Sequence, residues 1–279
     1  MAITYDKYEG RLVLITGGSS GMGLALAQLL AREGARVWLL ARHRAGLEAA
    51  VQSLSTATGQ AHGFVTADVT SWDRVHAAVR RIHDKAGLPD VLINAAGASH
   101  PGYVQETTLD TYREMMDLNY FGIVHMVQAL LPAMLARGHG YIVNFSSMAG
   151  FMAPFGYAAY TPSKYAVRGL SDTLRLELKP LGLRISIVFP PDTDTPGMAN
   201  ENKTKPYETL EAFSSSLASA DAVARGVLSG MKRGRYVILP GLEANLAYRM
   251  VSLAGNAIYP IFDYLLAQAR GKKARMERS

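Results

Sequence analysis

The 279-residue sequence contains no cysteine, which excludes disulfide cross-links, thiolate nucleophiles and cysteine-ligated metals. Its 7 histidines are scattered, and no histidine and carboxylate group has metal-ligand spacing, so no metal is expected. Charge is sparse at 19% of residues against 49% hydrophobic, which excludes a disordered chain. The opening segment MAITYDKYEGR lacks an apolar run and reads as no secretory signal, so a cytoplasmic protein is expected. Acidic residues are the minority, 23 against 29 basic, for a formal charge of +6. Much of that excess lies in the last residues, where Arg270, Lys272, Lys273, Arg275 and Arg278 face only Glu277. With no nucleic-acid motif beside this tail, no nucleic-acid partner is expected.

What is present is an alternation of short apolar runs with helical patterns. Strands are expected at 11–15, 36–40, 63–67, 91–94, 141–145, 184–189 and 236–239. Helices are expected at 24–33, 45–53, 72–85, 111–137, 160–178 and 210–232, with Pro132 bending the longest. The segment 190–208 is rich in Pro, Asp, Thr and Asn and reads as an irregular loop. The pattern predicts an α/β fold, a doubly wound parallel sheet of Rossmann type, as a single domain with a helical C-terminal extension. One α/β domain is expected over 1–240, including the loop at 190–209, and an amphipathic extension with a basic tail over 241–279.

Between the first strand and the first helix lies TGGSSGMG, residues 16–23. Gly17 permits a tight turn, Gly21 close approach of a pyrophosphate, and Gly23 helix–strand packing. The helix behind it offers unpaired N–H groups to phosphate. A dinucleotide site is therefore expected here. At the end of the second strand, where an acidic residue would hold the ribose of NAD, the chain has Arg42. Arg42 can pair with the 2′-phosphate of NADP, and Ser19 and Ser20 can add hydroxyl donors. The alternative for Arg42 is a solvated surface arginine.

Tyr160 and Lys164 stand four apart on a helix, hence on one face. A neighbouring ammonium favours phenolate, so the pair is expected to act as an acid/base with the phenol's affinity for protons lowered.

The glycine spacing, Asn94-Ala-Ala-Gly97, Asn119, Ser146-Ser147 and Tyr160 with Lys164, in this order along most of the chain, resemble the short-chain dehydrogenase/reductase family. The resemblance implies NADP(H) as cofactor and hydride transfer to a carbonyl. It implies that Tyr160 donates the proton, Lys164 also binds the nicotinamide ribose, and Ser147, thirteen residues before Tyr160, polarises the carbonyl. It further implies that Ser146 lies along the cofactor, Asn119 holds a water for proton relay, Asp68 contacts the adenine and Thr195 the nicotinamide carboxamide. Asn94 is expected among the cofactor-binding residues.

The loop from Phe189 to Thr209 resembles the branch of this family that reduces 3-ketosphinganine to sphinganine with NADPH. A long-chain ketone is therefore the expected substrate. The alternatives are an acyl-chain or steroid-like ketone, or NADP sensing without turnover. Family resemblance implies a dimer or tetramer, with the helices at 111–137 and 160–178 as candidate contacts. Glu243, Arg249 and Asp263 interrupt the apolar stretch 242–267 and argue against a membrane-spanning helix. Two readings of that stretch stay open: an amphipathic helix lying with its basic tail on an anionic membrane, or a helix packed on a subunit interface or over the substrate with a solvated tail.

Overall fold

The structure, a computed structural model, describes residues 5–213 and 216–278. Strands β1 (Leu12–Thr16), β2 (Arg36–Ala41), β3 (Gly63–Thr66), β4 (Val91–Asn94), β5 (Gly140–Phe145), β6 (Leu183–Val188) and β9 (Val237–Ile238) form a seven-stranded sheet in the order β3-β2-β1-β4-β5-β6-β9. Every pairing in it is parallel. The fold is the doubly wound α/β fold that the sequence predicts.

The period-two alternation of strands sorts side chains onto two faces. Val13 and Ile15 of β1, with Tyr141 and Val143 of β5, enter one core, while Leu14 and Ile142 enter the other. Helices α1 (Gly21–Arg32), α2 (Arg44–Thr58) and α9 (Ala220–Lys232) cover the first face. Helices α3 (Trp72–Ala86), α5 (Gly122–Arg137) and α6 (Tyr160–Leu178) cover the second. Both strand faces are buried, which explains runs such as LVLIT that lack polar alternation.

The expected long helix runs unbroken over Leu109–Arg137, with Pro132 inside α5. Its start, α4 (Leu109–Met116), joins α5 through a π-helical turn at Asp117–Phe121. Two expectations are corrected. The segment 190–208 is not wholly irregular. It contains strand β7 (Thr193–Asp194), paired with β8 (Ala218–Ser219), and helices α7 (Pro196–Glu201) and the start of α8 (Tyr207–Ala212). Thr195 caps α7 by accepting from Met198 N–H at 3.2 Å, and Pro196 starts the helix where its missing N–H costs nothing. The helix expected over 210–232 divides into the end of α8 and α9, and its residues 214 and 215 lie outside the described residues.

The extension folds as α10 (Leu242–Ala254) and α11 (Tyr259–Met276), joined by one 3-10 turn. Tyr248 of α10 packs on Phe151 and Phe189 at ring distances of 5.1 and 5.9 Å. The basic end of α11 is not wholly solvated. Lys272 pairs with Glu211, Lys273 lies 3.6 Å from Glu208, and Arg270 stacks over Phe155 at 5.8 Å. Two helical stretches, Leu109–Arg137 and Leu242–Met276, are long and apolar enough to cross a membrane by length and composition. The first belongs to the core layer, and the second rests on the domain through the contacts just described.

Candidate active site

In doubly wound sheets ligands bind beyond the carboxyl ends of the strands, where the strand order reverses. Here that point lies between β1 and β4. Thr16, at the end of β1, accepts from the N–H groups of Ala95 and Ala96 at 3.1 Å each, knitting the two strand ends together. The glycine turn then closes tightly. Gly17 has φ +68°, and a Cβ there would lie 2.8 Å from the Ala96 backbone. A Cβ on Gly23 would lie 2.5 Å from the Gly17 carbonyl oxygen. Ser20 precedes α1 in extended conformation, and no side chain caps the helix, so its first N–H groups face the site. A Cβ on Gly21 would stand 3.1 Å from the Thr195 methyl, so the segment after β7 lies directly over the turn.

This cradle fits a pyrophosphate. Its floor is glycine that any side chain would fill, its donors are the bare N-terminus of α1, and Ser19 flanks it beside α2. Arg42 follows β2 and acts through space on Asp68. Burial raises the Asp68 carboxyl, but hydrogen bonds from the Thr70 N–H and hydroxyl, with the charge of Arg42, hold it below its ordinary value. A cation and an acceptor therefore stand near each other past the ends of β2 and β3.

Asn94 is buried, its Nδ2 donates to Asn144 Oδ1 at 2.9 Å, and Asn144 Nδ2 donates to Ser171 at 3.0 Å. It ties the end of β4 to β5 and α6, and the adjoining Ala95 and Gly97 line the cleft.

Ser147, Tyr160 and Lys164 converge on the cleft floor. Ser147, just past β5, accepts from Ala149 N–H at 3.1 Å, and its hydroxyl acts on the Tyr160 phenol to lower it. Lys164, one turn along α6, is buried and donates to the Phe145 carbonyl at 3.3 Å. Ser146 donates to the Lys164 carbonyl at 3.0 Å and so fixes α6 against the end of β5.

The π turn carries Asn119 inward, where it is fully buried. Its Nδ2 donates to the Ala98 carbonyl and to Ser163 Oγ, each at 3.0 Å, and its Oδ1 accepts from Ala98 N–H at 3.1 Å. A Cβ on Gly97 would lie 2.8 Å from Asn119 Oδ1 and 3.4 Å from Lys164 Nζ, so glycine keeps the space between these groups open.

The expected electrostatics of the pair are corrected. Burial above all, with the charges of Glu201 and Asp192, pushes the Tyr160 phenol up, against the Ser147 hydrogen bond. Burial pushes the Lys164 ammonium down to about 8. Desolvation outweighs the ammonium's influence on the phenol. A raised phenol stays protonated at neutral pH, as a proton donor must.

Sequence reasoning also missed a polar network. Glu201, at the end of α7, accepts from the Ser99 hydroxyl and from the Tyr157 phenol, and Lys205 Nζ lies 3.2 Å away. Glu and Lys four apart are a readable helical pair, but the loop assignment of 190–208 hid it. Beyond the network the cleft, of about 600 Å³, is walled by apolar side chains including Met152, Pro154, Phe213, Leu217, Met250 and Phe262.

A glycine cradle at the strand-order reversal, beside a Ser–Tyr–Lys floor, defines a dinucleotide-dependent oxidoreductase of the doubly wound class. The short chain dehydrogenase family model matches residues 11–206, and the chain belongs to that family. A 3-dehydrosphinganine reductase of Danio rerio is 37% identical over 235 residues, covering 82% of this chain and 71% of the relative. A 3-ketodihydrosphingosine reductase of Dictyostelium discoideum is 35% identical, covering 94% and 84%. Among solved structures, a short-chain dehydrogenase from Sphingobium yanoikuyae in complex with NADPH is 28% identical, with a TM-score of 0.77 over 90% of this chain and 95% of that one.

Proposed function

We propose that the chain reduces the 3-keto group of 3-ketosphinganine to the secondary alcohol of sphinganine, with NADPH as reductant. The carrying observation is the convergence of Ser147, Tyr160 and Lys164 at the floor of an apolar cleft, in a chain similar to named 3-ketosphinganine reductases. NADPH, when bound in the cradle, would supply a hydride for the carbonyl carbon and become NADP+. Tyr160 gives its proton to the carbonyl oxygen, and Ser147 polarises that oxygen. Lys164 holds the cofactor ribose and the phenol in place. Asn119 positions Ala98 and, across Gly97, faces Lys164, where a relayed water returns the proton. Gly17, Gly21 and Gly23 hold the pyrophosphate, Arg42 with Ser19 and Ser20 the 2′-phosphate, Asp68 the adenine and Thr195 the carboxamide, with Asn94 and Ser146 along the cofactor. The apolar cleft wall receives the alkyl chain.

Two wider features belong to the same proposal. The outward side of α10 presents Leu242, Leu246, Met250 and Leu253 on one face, Leu242 74% and Leu253 88% exposed, with Arg249 among them. This face supports peripheral contact with an anionic membrane at the cytoplasmic side. Exposed Phe121 and Leu135 on the α4–α5 layer and Tyr165 and Leu176 on α6 support a homo-oligomer.

The test is NADPH oxidation by the purified protein with 3-ketosphinganine, beside Tyr160→Phe. Turnover that vanishes in the variant supports both substrate and proton donor. Absence of turnover while NADPH binds would discard the sphingoid substrate and leave other long-chain or steroid-like ketones.

A further inference from the structure

Glu201 is an unexpected group in this cleft. Its side chain is 12% exposed and that of its partner Lys205 7%. A buried ion pair contributes little net stability, because desolvation offsets most of its attraction. The reduction of a plain long-chain ketone requires no carboxylate there.

The surroundings of Glu201 are built and polar. Ser99 comes from the loop after β4, Tyr157 from the approach to α6, and Lys205 from beyond α7, and all three line the cleft with Glu201. The Tyr157 ring lies 5.8 Å from the Tyr160 ring, so Glu201 stands one side chain away from the reacting phenol. Asp192 lines the same end of the cleft, and both carboxylates act through space on Tyr160. The rest of the wall is largely apolar.

We propose that Glu201 is a specificity-determining residue that binds the protonated amino group on the carbon next to the reacting carbonyl. The inference rests on the amino-ketone substrate proposed above. When the carbonyl oxygen meets Tyr160 and Ser147, the ammonium on the next carbon, three bonds from that oxygen, must lie close beside the same pair. The polar end of the cleft is where that group finds an acceptor, and the alkyl chain runs the other way along the apolar wall. Ser99 and Tyr157 orient the carboxylate, and Lys205 pairs with it until the substrate's own cation shares it. A hydrogen bond to a charged group contributes about 1.5–3 kcal/mol, which corresponds to roughly 10- to 100-fold in affinity.

The experiment compares kcat/KM for 3-ketosphinganine with that for the same long-chain hydroxyketone carrying hydrogen in place of the amino group. The full-length protein and its Glu201→Gln variant are measured side by side, with NADPH binding by fluorescence as the check on folding. The expected result is a fall of about 10- to 100-fold in the amino-to-deaminated ratio in Glu201→Gln. An equal loss on both ketones would show that Glu201 only latches α7 over the cleft, and would overturn the inference. A pH series on the unaltered protein gives a second readout that needs no variant. KM for the amino ketone should rise as its amine loses its proton, while KM for the deaminated ketone does not follow. Parallel curves would also overturn the inference. If the unaltered protein turns over the deaminated ketone and not the amino ketone, the substrate proposal fails and this inference with it. Turnover of the amino ketone with an unchanged ratio in the variant defeats this inference alone.

Discussion

Lys164 Nζ lies 5.5 Å from the centre of the Tyr160 ring, yet its hydrogen bond goes to the Phe145 carbonyl. The two residues share one face of α6 and are opposed in electrostatic direction: the phenol is raised and the ammonium lowered, each chiefly by burial. The arrangement keeps the proton on the tyrosine, where reduction needs it, and holds the cation at a cost to the fold.

That cost is measurable. The folded Lys164 titrates at about 8, below its ordinary 10.5. Between those values the unfolded chain binds a proton that the folded chain has released, so this group makes stability rise with pH through that window. Below it both states are charged and the fold carries the full penalty. Replacing Lys164 by Met should therefore stabilise the protein without cofactor at neutral pH, by on the order of 2 kcal/mol, while turnover is lost. It should also flatten the rise in Tm on the alkaline side. A lower Tm for the variant, or an unchanged pH dependence, would count against a buried uncompensated ammonium.

Arg42 stands where the second strand ends and acts on the same place as Asp68. Charge-assisted bonding of a guanidinium to phosphate contributes about 1.5–3 kcal/mol, so Arg42→Ala should reduce kcat/KM for NADPH by roughly 10- to 100-fold. The same change should leave NADH, which lacks the 2′-phosphate, nearly unaffected. Equal losses with the two cofactors would show Arg42 to be a surface residue.

Gly23 faces the Gly17 carbonyl at a separation that no side chain can share. Gly23→Ala must push α1 away from the turn, and overpacking of this kind costs typically about 1–3 kcal/mol. The expected result is a lowered Tm together with weaker NADPH binding, since the shift moves the helix N–H groups that face the phosphates. Wild-type NADPH affinity in Gly23→Ala would show that the turn has slack the geometry does not suggest.

The strands of the sheet were legible because each is a short apolar run bounded by glycine or polar residues, as at β1 and β4. The cradle was legible for a related reason: glycine is irreplaceable where Gly17 meets Ala96 and Gly23 meets Gly17. The π turn was not legible, because nothing in DLNYF distinguishes one extra residue per turn from an ordinary helix. Nor was the inward packing of Asn94, whose partner Asn144 lies fifty residues away on the neighbouring strand. The Glu201 network spans Ser99, Tyr157 and Lys205, from three separate segments, and only the last of these is at helical spacing. Composition misled at α7, since Thr195-Pro196 is both a loop signal and a helix start.

The two faces of α10 give the last prediction. Its inner side packs Ala244 and Tyr248 onto the domain, and its outer side carries Leu246 and Leu253 into solvent. Met250 and Val251 also line the cleft, so the outward apolar face runs into the cleft wall. Leu246 and Leu253 do not line the cleft, which makes them suitable probes of the surface alone. Burying a leucine side chain is favourable by about 1.5–3 kcal/mol, so Leu246→Asp with Leu253→Asp should reduce binding to vesicles of phosphatidylcholine and phosphatidylserine by at least roughly tenfold. Turnover of a short, soluble ketone by the same variant should persist, while turnover of vesicle-borne 3-ketosphinganine falls. If co-sedimentation with vesicles is unchanged, the exposed face is not a membrane surface, and its apolar side chains must be covered by another protein chain instead.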